Sequence, residues 1–65
     1  MTPTDLTSWR KSLGLTQKAA AEALGTSQGT YENWEQGRRA IPGVVEVACR
    51  LIEEQRNMAI SERQI

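Results

Sequence analysis

At 65 residues the chain is long enough for one domain, and at that size only about 60% of the unfolded surface is buried, so a lone core is marginal. One cysteine, Cys49, and no histidine exclude an intramolecular disulfide and a Cys/His zinc site, which leaves helix packing and oligomerisation as sources of stability. Eight Lys and Arg balance eight Asp and Glu, giving zero net charge and a pI of about 6.2.

No apolar run approaches the roughly 18 residues of a membrane span. The N-terminal MTPTDLTSW lacks the basic-then-apolar order of a signal peptide. A cytoplasmic protein without a membrane partner is expected. The usual nucleophiles and bases are missing, and the adjacent Glu53 and Glu54 diverge on a helix. No catalytic residue, metal ligand, cofactor or small-molecule ligand is therefore expected, and the chain is not read as an enzyme. Cys49 reads as a small core residue rather than a reactive thiol.

The first helix starts near Pro3, with Thr4 or Asp5 as its cap. Leu6, Arg10 and Leu13 share one face, with Trp9 beside them, and Gly14 ends the helix in the left-handed conformation. Leu15 can then pack back onto the helix it has left.

Thr16 is the next N-cap, and QKAAAEAL after it holds four alanines, the best helix former. So little side chain lets a neighbouring helix approach closely. Leu24 is the large apolar anchor, and Gly25 closes the helix. Gly25-Thr26-Ser27 is a short turn, with Ser27 capping a helix from about Gln28 to Gln36. Tyr31 and Trp34 point inward on this helix. Gln28, Gly29, Glu32, Asn33 and Gln36 fill the opposite arc, and Thr30 sits on the flank. Amides and small residues on an outward arc are unusual for a plainly solvated helix, where Lys and Glu dominate.

Gly37 ends that helix, and Arg38-Arg39-Ala40 forms a basic loop. Ile41-Pro42 marks the start of a last helix, about Gly43 to Asn57. Its apolar residues cover roughly 200° of the helical wheel, wider than the stripe that faces one core. Two apolar surfaces imply two partners, the domain's own core and a second subunit; the alternative is a deeply buried central helix. The organisation expected is one domain over 1–57, with the helix-turn-helix at about 17–36, the last helix at about 43–57, and a loosely ordered tail over 58–65.

Leu13-Gly14-Leu15-Thr16-Gln17, Ala21, Leu24-Gly25, Ser27, Trp34-Glu35-Gln36-Gly37-Arg38 and Ile41-Pro42 stand in an order and spacing that resemble the phage repressor and Cro-type helix-turn-helix regulators, the XRE-like family. The match runs from about Leu6 to Ile52. Each piece alone is weak, and the register of all of them is specific. The resemblance implies an all-α, four- to five-helix, lambda-repressor-like DNA-binding domain. It further implies base readout by Gln28, Gly29, Thr30 and Asn33, and phosphate contacts from Gln17, Lys18, Ser27, Gln36, Arg38 and Arg39. It also implies an Arg10–Glu35 structural pair, a small Ala21 where two helices nearly touch, and core positions at Val45, Ala48, Cys49 and Ile52. Val44, Val47 and Leu51 are then left for a dimer interface.

Three departures stand out. Tyr31 occupies a position usually aliphatic, Gly29 lacks a reading side chain, and the fifth helix of many members is missing, which changes the expected dimer geometry. Short members of the family include phage regulators, restriction–modification controllers, antitoxins and anti-CRISPR-associated repressors. The order Trp34-Glu35-x-Gly37-Arg38-x-x-Ile41-Pro42 followed by Val45-Glu46 resembles the last of these.

The major groove admits a helix, and amide side chains suit it because each offers a donor and an acceptor. Gln28 and Asn33 can each bond an adenine at N6 and N7, and Thr30 can meet a thymine methyl or a phosphate. Glu32 can accept from a cytosine amino group or repel phosphate at wrong sites. The backbone N–H groups of Gln17 and Lys18 favour a phosphate, while Arg38, Arg39 and Lys11 add charge. The function expected is sequence-specific binding of double-stranded DNA, at a pseudo-palindromic operator, by a small homodimeric repressor or autorepressor. The alternative is an antitoxin or other protein-interaction module using the last helix and tail, which the zero net charge fits slightly better.

Overall fold

The structure, a computed structural model, describes the backbone of residues 1–63 and the side chains of residues 1–56. The described residues form four helices and no strands: α1 (Pro3–Ser12), α2 (Gln17–Ala23), α3 (Gln28–Glu35) and α4 (Gly43–Arg63). The fold is all-α, with no fifth helix among the described residues.

Local chemistry sets each start. The cap of α1 is Thr2, not Thr4 or Asp5. Its hydroxyl accepts from the Asp5 N–H at 3.1 Å, and its own N–H donates to the Asp5 carboxylate at 3.0 Å. Pro3 explains the difference: it occupies the first helical turn, so the cap must lie before it, and Asp5 closes a capping box from the third position. These hydrogen bonds from Thr2 hold the Asp5 carboxyl below the usual carboxylate range. Thr16 and Ser27 cap α2 and α3, accepting from the N–H groups of Ala19 at 3.1 Å and Thr30 at 3.3 Å.

The α2–α3 turn depends on Gly25, whose φ of +72° lies in the left-handed region that side chains with a Cβ avoid. There the Thr26 N–H reaches back to the Ala21 carbonyl at 3.0 Å, which satisfies an end group of α2. A Cβ at Gly25 would meet nothing within 4 Å, so backbone conformation rather than space demands the glycine.

The core is Leu6 and Trp9 of α1, Ala20 and Ala21 of α2, Tyr31 and Trp34 of α3, and Val45 and Cys49 of α4. Leu13, Leu15, Leu24, Ile41 and Ile52 pack around it. Two fully buried alanines let α2 and α3 approach closely. The Tyr31 and Trp34 rings meet edge to face at 6.3 Å. Trp9 Nε1–H donates to the Cys49 carbonyl at 3.2 Å, and Arg56 donates to the Leu13 carbonyl at 3.1 Å, so α4 is tied to both the middle and the end of α1.

α4 runs beyond the end expected near Asn57. From Val44 to Arg63 it meets no glycine or proline, so nothing in that stretch stops it. Of the tail expected over 58–65, the backbone through Arg63 continues α4, and residues 64–65 lie outside the described residues.

Candidate nucleic-acid interface

The α2–turn–α3 unit is held to α1 by a nearly buried ion pair. Arg10 Nε lies 2.8 Å from Glu35 Oε2 and Arg10 Nη2 lies 3.3 Å from Oε1, a two-pronged contact with the side chains 16% and 7% exposed. The remaining guanidinium prong donates to the Leu15 carbonyl at 3.1 Å, in the loop between α1 and α2. Arg10 thus holds the start of the helix-turn-helix and the end of α3 at once.

Gln17 joins the same carboxylate. Its Nε2 donates to Glu35 Oε1 at 3.2 Å. Glu35 therefore gathers α1, α2 and α3 at one point. Burial alone would raise its carboxyl, but the charge and hydrogen bonds of Arg10, the hydrogen bond of Gln17 and the nearby Tyr31 hydroxyl outweigh burial and hold it below the usual range. The Tyr31 hydroxyl is buried without a hydrogen bond of good geometry, yet it lies close enough to Glu35 to contribute. Burial first, and then the neighbouring carboxylate, push the Tyr31 ionisation up. Burial likewise pushes the Cys49 thiol up to about 11, consistent with an unreactive core residue.

The other site residues divide by what they already touch. Gln28 and Gly29 are exposed on α3, while Thr30 and Asn33 are half-buried on its sides. Ser27 is committed to capping, and its hydroxyl also donates to Thr30 Oγ1 at 3.0 Å, so both hydroxyls have local partners. Gln17, expected as a phosphate contact, has one amide hydrogen engaged by Glu35; the other remains for a ligand. The sequence places Gln17 at the surface and not in this network, because nothing local marks a contact 18 residues away. Lys18, Gln36, Arg38 and Arg39 are exposed. The N–H groups of Arg38 and Arg39 both point to the Asn33 carbonyl, at 2.9 and 3.4 Å, which fixes the basic loop against the end of α3.

Charge is unevenly placed. Asp5, Glu46 and Glu53 line an open groove of about 380 Å³ with Trp9, Cys49 and Arg50, on the α1–α4 side. Lys18, Arg38 and Arg39 are not part of it. Three of the eight acids thus line this groove, while Arg38 and Arg39 follow α3 and Lys18 opens α2, with Glu22 and Glu32 on the same two helices. Among the described residues no cluster of three or more Cys, Asp or Glu could hold a metal, and no helix is long and apolar enough to cross a membrane.

A family model described as a helix-turn-helix domain, of the XRE/Cro-like type, matches residues 5–58. The comparison with curated proteins finds no match.

Proposed function

Because the chain belongs to the helix-turn-helix domain family, a family of DNA-binding domains, we propose that it is a transcriptional regulator that reads double-stranded DNA with α3 in the major groove. The observation that carries this reading is the two-faced build of α3. Tyr31 and Trp34 are buried, while Gln28 and Gly29 are exposed and Thr30 and Asn33 border them. In this reading Gln28 and Asn33 each bond a base edge, Thr30 meets a methyl or phosphate, and Gly29 lets the helix backbone approach the groove floor. Lys18, Gln36, Arg38 and Arg39, with the free amide hydrogen of Gln17, hold the phosphates. Ser27 contributes through its position at the helix start more than through its hydroxyl.

The protein acts as a homodimeric repressor, its own promoter among its targets, on a pseudo-palindrome with half-sites about 34–36 Å apart. The apolar residues Val44, Val47 and Leu51, exposed on α4, supply the dimer contact. Regulation follows from concentration, through coupled dimerisation and DNA binding. Footprinting of the purified protein on the DNA upstream of its own gene tests this. Two protected half-sites, one helical turn apart, are expected. No protection at moderate salt, with the folded protein in excess, would refute it.

A further inference from the structure

Val44, Val47 and Leu51 are 72%, 55% and 53% exposed on a helix whose opposite side, through Val45 and Cys49, is buried in the core. They recur at the spacings that align on one helix face, and the next residue on that face is the exposed Glu54. Beside the stripe, the exposed Arg50 lies 3.4 Å from the half-exposed Glu46 on its own helix, and the N-terminal amine lies 3.7 Å from the other Glu46 oxygen.

We infer that α4 pairs with α4 of a second copy in antiparallel orientation, about a two-fold axis between Val47 and Ala48. The inference rests on the dimeric reading above and specifies its geometry. The distribution of charge selects the orientation. A parallel pair in register would set Glu54 against Glu54 on the contact face, and like charges directly opposite repel. The antiparallel pair sets Val44 against Leu51 of the second copy, twice by symmetry, with Val47 on the axis. It brings each Arg50 level with the Glu46 region of the other copy, so that opposite charges alternate along the edge. It also carries Glu54 to the start of the other α4, at the level of Ile41, where the helix dipole and the basic Arg38–Arg39 loop favour an acid. A two-fold interface of this kind uses one patch twice and closes on itself.

Three exposed side chains cover far less than the roughly 800 Å² per partner of a stable interface. Pairing is therefore weak in the free protein and grows with concentration.

The test places single cysteines at Val44→Cys and Leu51→Cys, in separate proteins, and oxidises each alone and the two mixed. In the antiparallel pair a residue and its own symmetry mate, at 44 or at 51, sit seven residues apart along the axis. That is about 10.5 Å, beyond the roughly 7 Å that a disulfide spans. The mixture should crosslink and each variant alone should not, while the parent protein, with Cys49 buried, stays monomeric on a denaturing gel. Efficient crosslinking of each variant with itself overturns the antiparallel orientation. Both sites are exposed, so circular dichroism should show folded variants.

Sedimentation gives a second measurement. Leu51→Glu should weaken self-association roughly tenfold or more. Wild-type protein that stays monomeric at every concentration overturns the pairing. Titration of a mixed-sequence and an upstream-region duplex with the same samples separates the two readings. Specific binding by a monomer would sink the pairing and leave DNA readout standing. The crosslink pattern without DNA binding would do the reverse.

Discussion

α3 and α4 each bury one face and expose another, yet the exposed faces are opposites. α3 turns Tyr31 and Trp34 inward and leaves amides and a glycine outside. α4 buries Val45 and Cys49 and leaves Val44, Val47 and Leu51 outside. An amide face offers paired donors and acceptors that water satisfies but a base edge satisfies specifically. An apolar face offers no specific hydrogen bonds and gains only by being covered. The difference separates two tasks, reading and pairing. Net charge does not report either task, since Arg38 and Arg39 follow α3 while three of the eight acids, with Arg50 among them, line the α1–α4 groove.

The largest effect should come from removing what orients α3. Glu35→Ala leaves the Arg10 guanidinium nearly buried and unpaired and releases Gln17. A loss of about 3–5 kcal/mol is expected by urea or thermal unfolding, enough to unfold much of so small a domain. The double change Arg10→Met with Glu35→Leu should cost far less, since it removes both charges together. If Glu35→Ala alone is mild, the pair does not hold α3 to α1, and the reading face is set by the core alone.

Acid should expose the same dependence. The Glu35 and Asp5 carboxyls are both lowered in the folded protein. Their contribution is fully present above the unfolded values of about 4 and disappears as pH falls through the lower folded values. Stability measured against pH should be flat near neutrality and fall below about pH 4. Glu35→Gln should flatten much of that limb.

Gln28→Ala and Asn33→Ala sharpen the contrast from the other side. Each should reduce discrimination for its base pair by about 1–3 kcal/mol, read by competition between matched and altered duplexes. Unfolding free energy should stay within about 0.5 kcal/mol of the parent for the exposed Gln28. A large stability loss there would make the outward arc structural. Smallest is Thr2→Ala, which opens the capping box far from the reading face. It should cost about 1 kcal/mol of stability and leave base preference untouched.

Much of this fold was legible because its signals are local. Thr16 and Ser27 announce helix starts through a hydroxyl and a donor three residues on, and Gly14, Gly25 and Gly37 announce ends through a conformation only glycine adopts freely. Tyr31 and Trp34 declare the inner face of α3 by spacing alone. α1 starts at Pro3 as expected, but its cap is Thr2 because Pro3 fills the first turn, and the hydroxyl and carboxylate of Thr4 and Asp5 imitate a cap in sequence. α4 outruns its expected end near Asn57 because a polar stretch without a breaker says little about where a helix stops.

Contacts between distant residues were the least legible. Arg10–Glu35 came through the resemblance. Gln17–Glu35, Trp9–Cys49 and Arg56–Leu13 join residues 18, 40 and 43 positions apart, where no period or cap signals the encounter. Gln17 shows the consequence for the site: a residue read as facing a phosphate proves to share its amide with the carboxylate that joins three helices.

The most direct test of the reading face is selection of bound duplexes from a random-sequence pool at moderate salt, with wild type and Gln28→Ala in parallel. Wild type should enrich a pseudo-palindrome with half-sites about 10 base pairs apart, and Gln28→Ala should lose preference at one position in each half-site. Enrichment of no sequence by wild type, or the same sequence with unchanged preference from both proteins, would contradict the assignment of α3 as the reader.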